Sequence, residues 1–199
     1  MHHFWRVIQH YLPQLLKEMA KKYPNIQPFL KHIPFPALMN LLQTESIDVL
    51  FGLQDLYNAK NVCKFRELVK APISCVLPKN HPLAEKPYIT PDDVKNQHIA
   101  ILDTHNTPSP MLTQQSNFFK ERVPSHVYRC ETMEDILVLL KAGMAISFMP
   151  DIVPLREEDL AYVPVQDAVC VSYGIYYKTL QQKPMVRDFI KIAEAYFHE

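Results

Sequence analysis

The residues best suited to chemistry lie in one polar loop, DTHNTPSP, at positions 103–110. Thr104, His105, Asn106 and Thr107 offer short polar side chains and backbone N–H groups at the predicted entrance of a helix, an arrangement that suits a carboxylate or phosphate. Most such clusters are solvated turns, and that alternative stays open. The position directly after the apolar run IAIL (99–102) favours a binding role, because that run is typical of a buried strand.

Nucleophilic and metal chemistry are not indicated. The cysteines show no C-x-x-C spacing and are predicted to be reduced, buried thiols; only Cys130, at a strand end, is positioned for a thiolate role. Ser109 has no evident base, and no G-x-S-x-G elbow occurs. The histidines at positions 2, 3 and 10 could bind a metal only opportunistically. We therefore predict no enzyme activity, no metal site and no cofactor. The four cysteines are Cys63, Cys75, Cys130 and Cys170.

Composition narrows the functional class further. The 199 residues contain 21 basic and 21 acidic side chains, whereas a domain that grips nucleic acid usually carries a basic surplus. Only three glycines occur, so the glycine-rich phosphate loops are absent. No leader-like start and no membrane-length apolar run is present, so we expect a cytoplasmic protein without membrane contact.

The elements that must position the loop alternate between helical and strand patterns, which predicts an α/β fold. Thr90 and Thr132 are placed as helix N-caps. In LLKAGMAISFMP (139–150), Gly143 suits the left-handed position after a helix. Strands are predicted at 26–33, 47–52, 73–77, 99–102, 127–130, 145–149 and 171–178, and helices over 12–19, 35–42, 111–120, 133–140 and 185–197.

Short links in a β-α-β-α-β order predict mostly parallel strands covered by helices. Such sheets bind ligands beyond the carboxyl ends of their strands. Gly52, Asp103 and Met149 end three of the predicted strands. We therefore expect these residues to face one cleft.

Five segments occur in a fixed order along the chain: LPQLLKEMAKKYPNI, LLQTESIDVLFG, CVLPKNHPLA, ITPDDVKNQHIAILD and ETMEDILVLLKAGMAISFMP. They are followed by the carboxyl-terminal pieces LAYVPVQD and YGIYYK. Together these segments resemble the effector-binding domain of LysR-type transcriptional regulators, and the resemblance covers nearly the whole chain.

The resemblance implies a two-lobed, periplasmic-binding-protein-like (type 2) fold in which each lobe is a mostly parallel sheet flanked by helices. Lobe I would comprise residues 1–72 and 171–199, and lobe II residues 73–170, with a small effector between them. Family members pair as homodimers, and a full-length regulator would be a dimer or tetramer. In the family a winged helix-turn-helix precedes this domain and reads the DNA, which agrees with the zero net charge of these residues.

Three positions depart from the family pattern. Met1 falls where the family has an opening strand, for which residues 3–7 (HFWRV) are a candidate substitute. Residues 44–46 (TES) replace a frequent glycine, and Ala145 replaces the second glycine of the A-G-x-G-I turn. These departures affect the expected geometry of local turns and leave the expected fold unchanged.

The resemblance and the loop together predict an anionic effector, for which we expect a small carboxylate with some apolar bulk. Arg6 could neutralise the anion or lie on the surface, and Phe35 could form an apolar wall or pack onto its own helix. A stand-alone solute receptor of a transporter, or an enzyme on the same scaffold, are the alternatives. The predicted effector contacts are Arg6, Phe35, Gly52, Thr104, His105, Asn106, Thr107, Met111, Thr132, Phe148 and Met149.

Overall fold

The chain folds into two units. A computed structural model describes residues 5–31, 35–54, 63–102, 109–119, 126–153 and 156–198. The first unit comprises Met1–Lys70 and Ser172–Glu199, and the second comprises Ala71–Val171. The chain therefore passes from one unit to the other twice.

The first unit is built on helices and an antiparallel strand pair. Strand β1 (Leu50–Leu53) pairs antiparallel with strand β7 (Cys170–Tyr177), and β7 lies between β1 and strand β2 (Lys64–Pro78). Its helices are α1 (Trp5–Lys22), α2 (Phe35–Gln43) and α6 (Pro184–His198), and α1 packs against α6.

The strands of this unit approach one another closely at Gly174. A Cβ atom at this position would lie 2.1 Å from the carbonyl oxygen of Arg66, so only glycine fits there. The same glycine faces Gly52 in the β1–β7 register.

The second unit contains the remaining elements. The carboxyl-terminal part of β2 pairs antiparallel with both β5 (Ser147–Pro150) and β6 (Leu160–Pro164). Strands β3 (Ile99–Leu102) and β4 (Val127–Cys130) pair in parallel, and Ile99 also forms a parallel bridge with Ile146. The helices are α3 (Pro91–Val94), α4 (Ser109–Phe119) and α5 (Met133–Lys141).

The predicted local signals of the second unit are confirmed. Thr90 and Thr132 each form a capping box with the aspartate three residues later, at the start of α3 and α5. Gly143 has φ +70°, and its N–H donates a 2.9 Å hydrogen bond to the Leu140 carbonyl. Helix α5 therefore ends at Lys141, just before the turn at Gly143, and the apolar residues that follow enter β5.

Three expectations about the strands are wrong or incomplete. Residues 26–31 form no strand, because Pro28 cannot donate a ladder hydrogen bond and residues 27–31 are all exposed. Residues 5–7 belong to α1, so they do not replace an opening strand. Strand β2 begins at Lys64, nine residues before the predicted start. The sequence prediction missed this amino-terminal part because it is largely exposed and lacks an apolar run.

The strand pairing also differs in detail from the expected parallel order. The pairs β1–β7, β2–β5 and β2–β6 are antiparallel, whereas β3–β4 is parallel. The antiparallel pairs join strands that are far apart in sequence, and helical or strand periodicity contains no information about such partners. The α/β class itself is confirmed.

None of the helices described in the structure combines the length and apolar character needed to cross a membrane.

Candidate functional site

The parallel strands β3 and β4 end at one edge of the second unit. Leu102 and Cys130 are register partners and end the two strands, so they lie side by side at this edge. Thr132 follows β4 after one residue, and residues 103–108 follow β3 in sequence. Thr104, His105, Asn106 and Thr107 themselves lie outside the described residues.

Thr132 is the predicted site residue with the most defined geometry. Its hydroxyl oxygen accepts a hydrogen bond from the Asp135 N–H (3.1 Å), and its own N–H donates to Asp135 Oδ2 (3.0 Å). The hydroxyl hydrogen is left to donate. Asp135 and Glu134 also place negative charge in the first turn of α5, where it interacts favourably with the helix dipole and stabilises the helix.

Met111, Phe148 and Met149 are buried in the second unit. Phe148 has no exposed surface, and its ring centre lies 4.7 Å from that of Phe118 on α4. Met149 packs in a cluster that includes Val76 and Ile136. These three side chains fill the interior of the unit, and their contact with an effector stays a prediction.

The other predicted site residues belong to the first unit. Gly52 is buried in β1. Arg6 lies in α1 and Phe35 begins α2, but their side chains are outside the described residues. Of the eleven predicted residues, the second unit therefore holds Thr132, Met111, Phe148 and Met149 together with the loop 103–108.

The cysteines lack the features of nucleophiles. Burial raises the pKa of the Cys75 thiol, and burial together with the nearby Asp135 carboxylate raises the pKa of Cys130. Both thiols are thus held in the protonated, unreactive form. All four cysteines are free; Cys170, predicted to be buried, is exposed at the beginning of β7 because it lies at the end of its strand.

A metal site needs several ligating side chains close together. Within the described ranges, no group of three or more histidine, cysteine or acidic side chains could hold a metal ion.

The sequence analysis did not single out Glu134. One of its carboxylate oxygens, Oε2, is buried without a hydrogen-bond partner, which is unusual for a polar atom inside a protein. Its position in the capped first turn of α5 could have marked it, since the same turn contains Thr132 and Asp135. The orphaned oxygen is available to accept a hydrogen bond from a hydroxyl or amino group.

Comparison with known proteins gives one consistent result. Residues 6–197 match the family described as the LysR substrate binding domain. The transcriptional activator protein LysR of Escherichia coli is 26% identical over 168 residues, which cover 84% of this chain and 53% of the activator. The chain spans about half to three fifths of the length of the curated relatives it matches.

Solved structures show the same fold. The effector binding domain of QuiR in complex with shikimate aligns with a TM-score of 0.73 at 17% identity, covering 95% of this chain and 91% of that one. The BenM effector binding domain with its effector benzoate aligns with a TM-score of 0.71 at 18% identity, covering 96% and 88%. At these identities the likeness establishes the architecture.

Proposed function

Because this chain belongs to the LysR substrate binding domain family, we propose that it senses a small-molecule effector for a bacterial transcription regulator. The observation that carries the proposal is the family match across residues 6–197 of the 199. The similarity to the Escherichia coli activator supports a role in transcription rather than in catalysis.

The proposed effector is a small carboxylate held at the edge of the second unit where β3 and β4 end. The backbone and side chains of residues 103–107 would bind its anionic group, and the Thr132 hydroxyl would donate a further hydrogen bond. Shikimate and benzoate, which are named with two proteins of the same fold, are both carboxylates and support this choice. Arg6, Phe35 and Gly52 stay predicted effector contacts.

Signalling would work through differential affinity. An effector that binds one conformation of the domain more tightly than another shifts the population toward the first. DNA would be bound by a separate domain of the regulator, and two effector domains would pair as a homodimer in the cytoplasm. These whole-protein properties are part of the proposal, because the chain spans only part of its relatives.

A thermal-shift screen tests the proposal with matched pairs of compounds. Benzoate is compared with benzamide, and shikimate with its methyl ester, so that the neutral member of each pair lacks the carboxylate. A ligand of the native state must raise the melting temperature, and we expect increases from carboxylates only. Increases confined to the neutral members would contradict an anionic effector, and a panel of small metabolites without any increase would contradict effector sensing.

The double substitution Thr104→Val with Thr107→Val tests the position of the site. It removes two hydroxyls from the loop while keeping side-chain size, so we expect it to abolish carboxylate shifts without unfolding the chain. The matched control is Thr113→Val with Thr44→Val, which changes two exposed threonines outside residues 103–107. Shifts that survive the first pair would mean that the anion binds elsewhere.

A further inference from the structure

Two histidines face each other across the parallel strand pair of the second unit. His98 and His126 immediately precede Ile99 and Val127, which are register partners in β3 and β4. Their ring centres lie 4.9 Å apart with an angle of 55° between the rings. Both rings reach the surface, since His98 is exposed and His126 is half-buried. The pair lies at the amino-terminal ends of the strands, opposite the proposed effector edge.

The ring nitrogens of the pair differ from those of His81 in their hydrogen bonding. Within the described part of the chain, no hydrogen bond or ion pair engages the ring nitrogens of His98 or His126. By contrast, His81 accepts a hydrogen bond from the Leu83 N–H at Nδ1 (3.1 Å), and its Nε2 lies 3.3 Å from Gln97 Oε1. The facing pair therefore has ring nitrogens available to a ligand.

The spacing of the pair fits a shared metal ion. A Zn–N bond is about 2.1 Å and a ring nitrogen lies about 1.1 Å from its ring centre, so two imidazoles on one tetrahedral zinc have ring centres about 5 Å apart. The observed 4.9 Å agrees with that value. Tyr128, two residues after His126 and on the same face of β4, stacks on His98 at 5.6 Å and 26° and limits the rotation of its ring.

We propose that His98 and His126 form a two-histidine site for a divalent transition-metal ion, with water completing the coordination. Imidazole nitrogen suits zinc, copper and nickel, whereas magnesium and calcium prefer oxygen ligands. Because the two ligands come from adjacent strands, a bound ion would link the starts of β3 and β4. This site is separate from the proposed effector site, and its test does not depend on an effector.

Isothermal titration with Zn²⁺ tests the site in the full chain. The background is His2→Ala, His3→Ala and His10→Ala, since these amino-terminal histidines could bind zinc on their own. We expect one zinc per chain in this background, and at least a tenfold weaker affinity after either His98→Asn or His126→Asn. The control variant His198→Asn, at an exposed histidine on α6, should leave the affinity unchanged. Mg²⁺ should produce no binding.

A spectroscopic measurement tests zinc binding by His98 and His126 even if a variant fails to fold. In ¹H–¹⁵N spectra of the imidazole groups of the background protein, Zn²⁺ should move the ring-nitrogen signals of His98 and His126 and leave those of His81 and His198 in place. Absence of zinc binding in the background protein would overturn the proposal. So would zinc binding that moves only other histidines, or an affinity that neither substitution changes.

Discussion

The two tyrosines that meet in the first unit show how single residues stabilise this fold. Tyr11 of α1 and Tyr173 of β7 are fully buried, and their hydroxyl oxygens lie 2.6 Å apart. Burial raises the pKa of both phenols, and at Tyr11 the neighbouring Tyr173 raises the pKa further. The pair thus satisfies two buried hydroxyls that would otherwise lose hydrogen bonds to water.

This pair predicts a loss of stability at alkaline pH. Since the pKa values are raised in the folded state, stabilisation is complete below the unfolded value near pH 10 and is lost as pH rises above it. Each buried tyrosine should lower the free energy of unfolding by about 1.4 kcal/mol per pH unit there. Urea unfolding between pH 9 and 11, with and without Tyr11→Phe and Tyr173→Phe, measures the effect.

Above pH 10, the free energy of unfolding of the double variant should fall less steeply with pH than that of the wild type. The difference in slope corresponds to the two protons of the buried pair. The control is Tyr88→Phe, at a tyrosine whose surface is 52% exposed. Identical slopes in the wild type and the double variant would show that the buried pair does not remain protonated.

Gly143 gives a second prediction at the scale of one residue. Its φ of +70° is costly for any side chain with a Cβ, while no atom lies within 4 Å of a Cβ placed there. The cost of Gly143→Val should therefore be conformational, about 2 kcal/mol or about 4–8 °C in melting temperature.

Gly143→Asn is the matched substitution, because asparagine tolerates the left-handed region and should cost less than half as much. Equal melting temperatures for glycine, asparagine and valine at this position would refute the turn assignment.

At the scale of elements, α5 depends on its amino-terminal cap. The Thr132 side chain accepts from the Asp135 N–H, and nine helical residues follow. Thr132→Ala should lower the free energy of unfolding by about 1 kcal/mol without ligand, measured by urea denaturation. Thr90→Ala removes the equivalent contact from the four-residue α3 and should cost less. A larger loss at Thr90 than at Thr132 would contradict this ranking.

The elements that the sequence predicts well are those set by neighbouring residues. Helix α5, its Thr132 cap, the Gly143 turn and β5 all follow from signals within a dozen residues. The extension of β2 from Lys64 depends instead on partner strands elsewhere in the chain. Backbone pairing between strands such as β1 and β7, more than 100 residues apart, leaves no local trace.

The features of the candidate site also separate into those that neighbouring residues predict and those that depend on tertiary packing. Thr132 was predictable, because a threonine before an apolar helical pattern is a local signal. The exposure of Cys170 at a strand end and the orphaned Glu134 oxygen depend on packing that no spacing rule describes. The facing pair His98 and His126 required knowledge that β3 and β4 are neighbours in register.

At the scale of the whole molecule, the chain crosses from one unit to the other twice. Strand β2 contains the first boundary, at Lys70, and β7 contains the second, at Val171. The second unit is therefore one continuous segment, Ala71–Val171, which lies in sequence between the two segments of the first unit.

Assembly gives a prediction at this scale. We expect the chain to form a homodimer, as the family resemblance implies, because exposed strand edges are commonly covered by two-fold pairing. Sedimentation velocity at tens of micromolar, an order-of-magnitude choice for a standard-size interface, should show a dimer of the 23.2 kDa chain. A single monomeric species across this range would contradict it.

The central claim is that a small carboxylate binds where β3 and β4 end, and amide chemical shifts test it most directly. The ligand is the carboxylate, benzoate or shikimate, that raises the melting temperature more. Its titration into ¹⁵N-labelled protein should move the amides of residues 103–107 and 132–135 at the lowest concentrations. Perturbations that begin elsewhere in the chain and leave both segments unchanged would contradict the account.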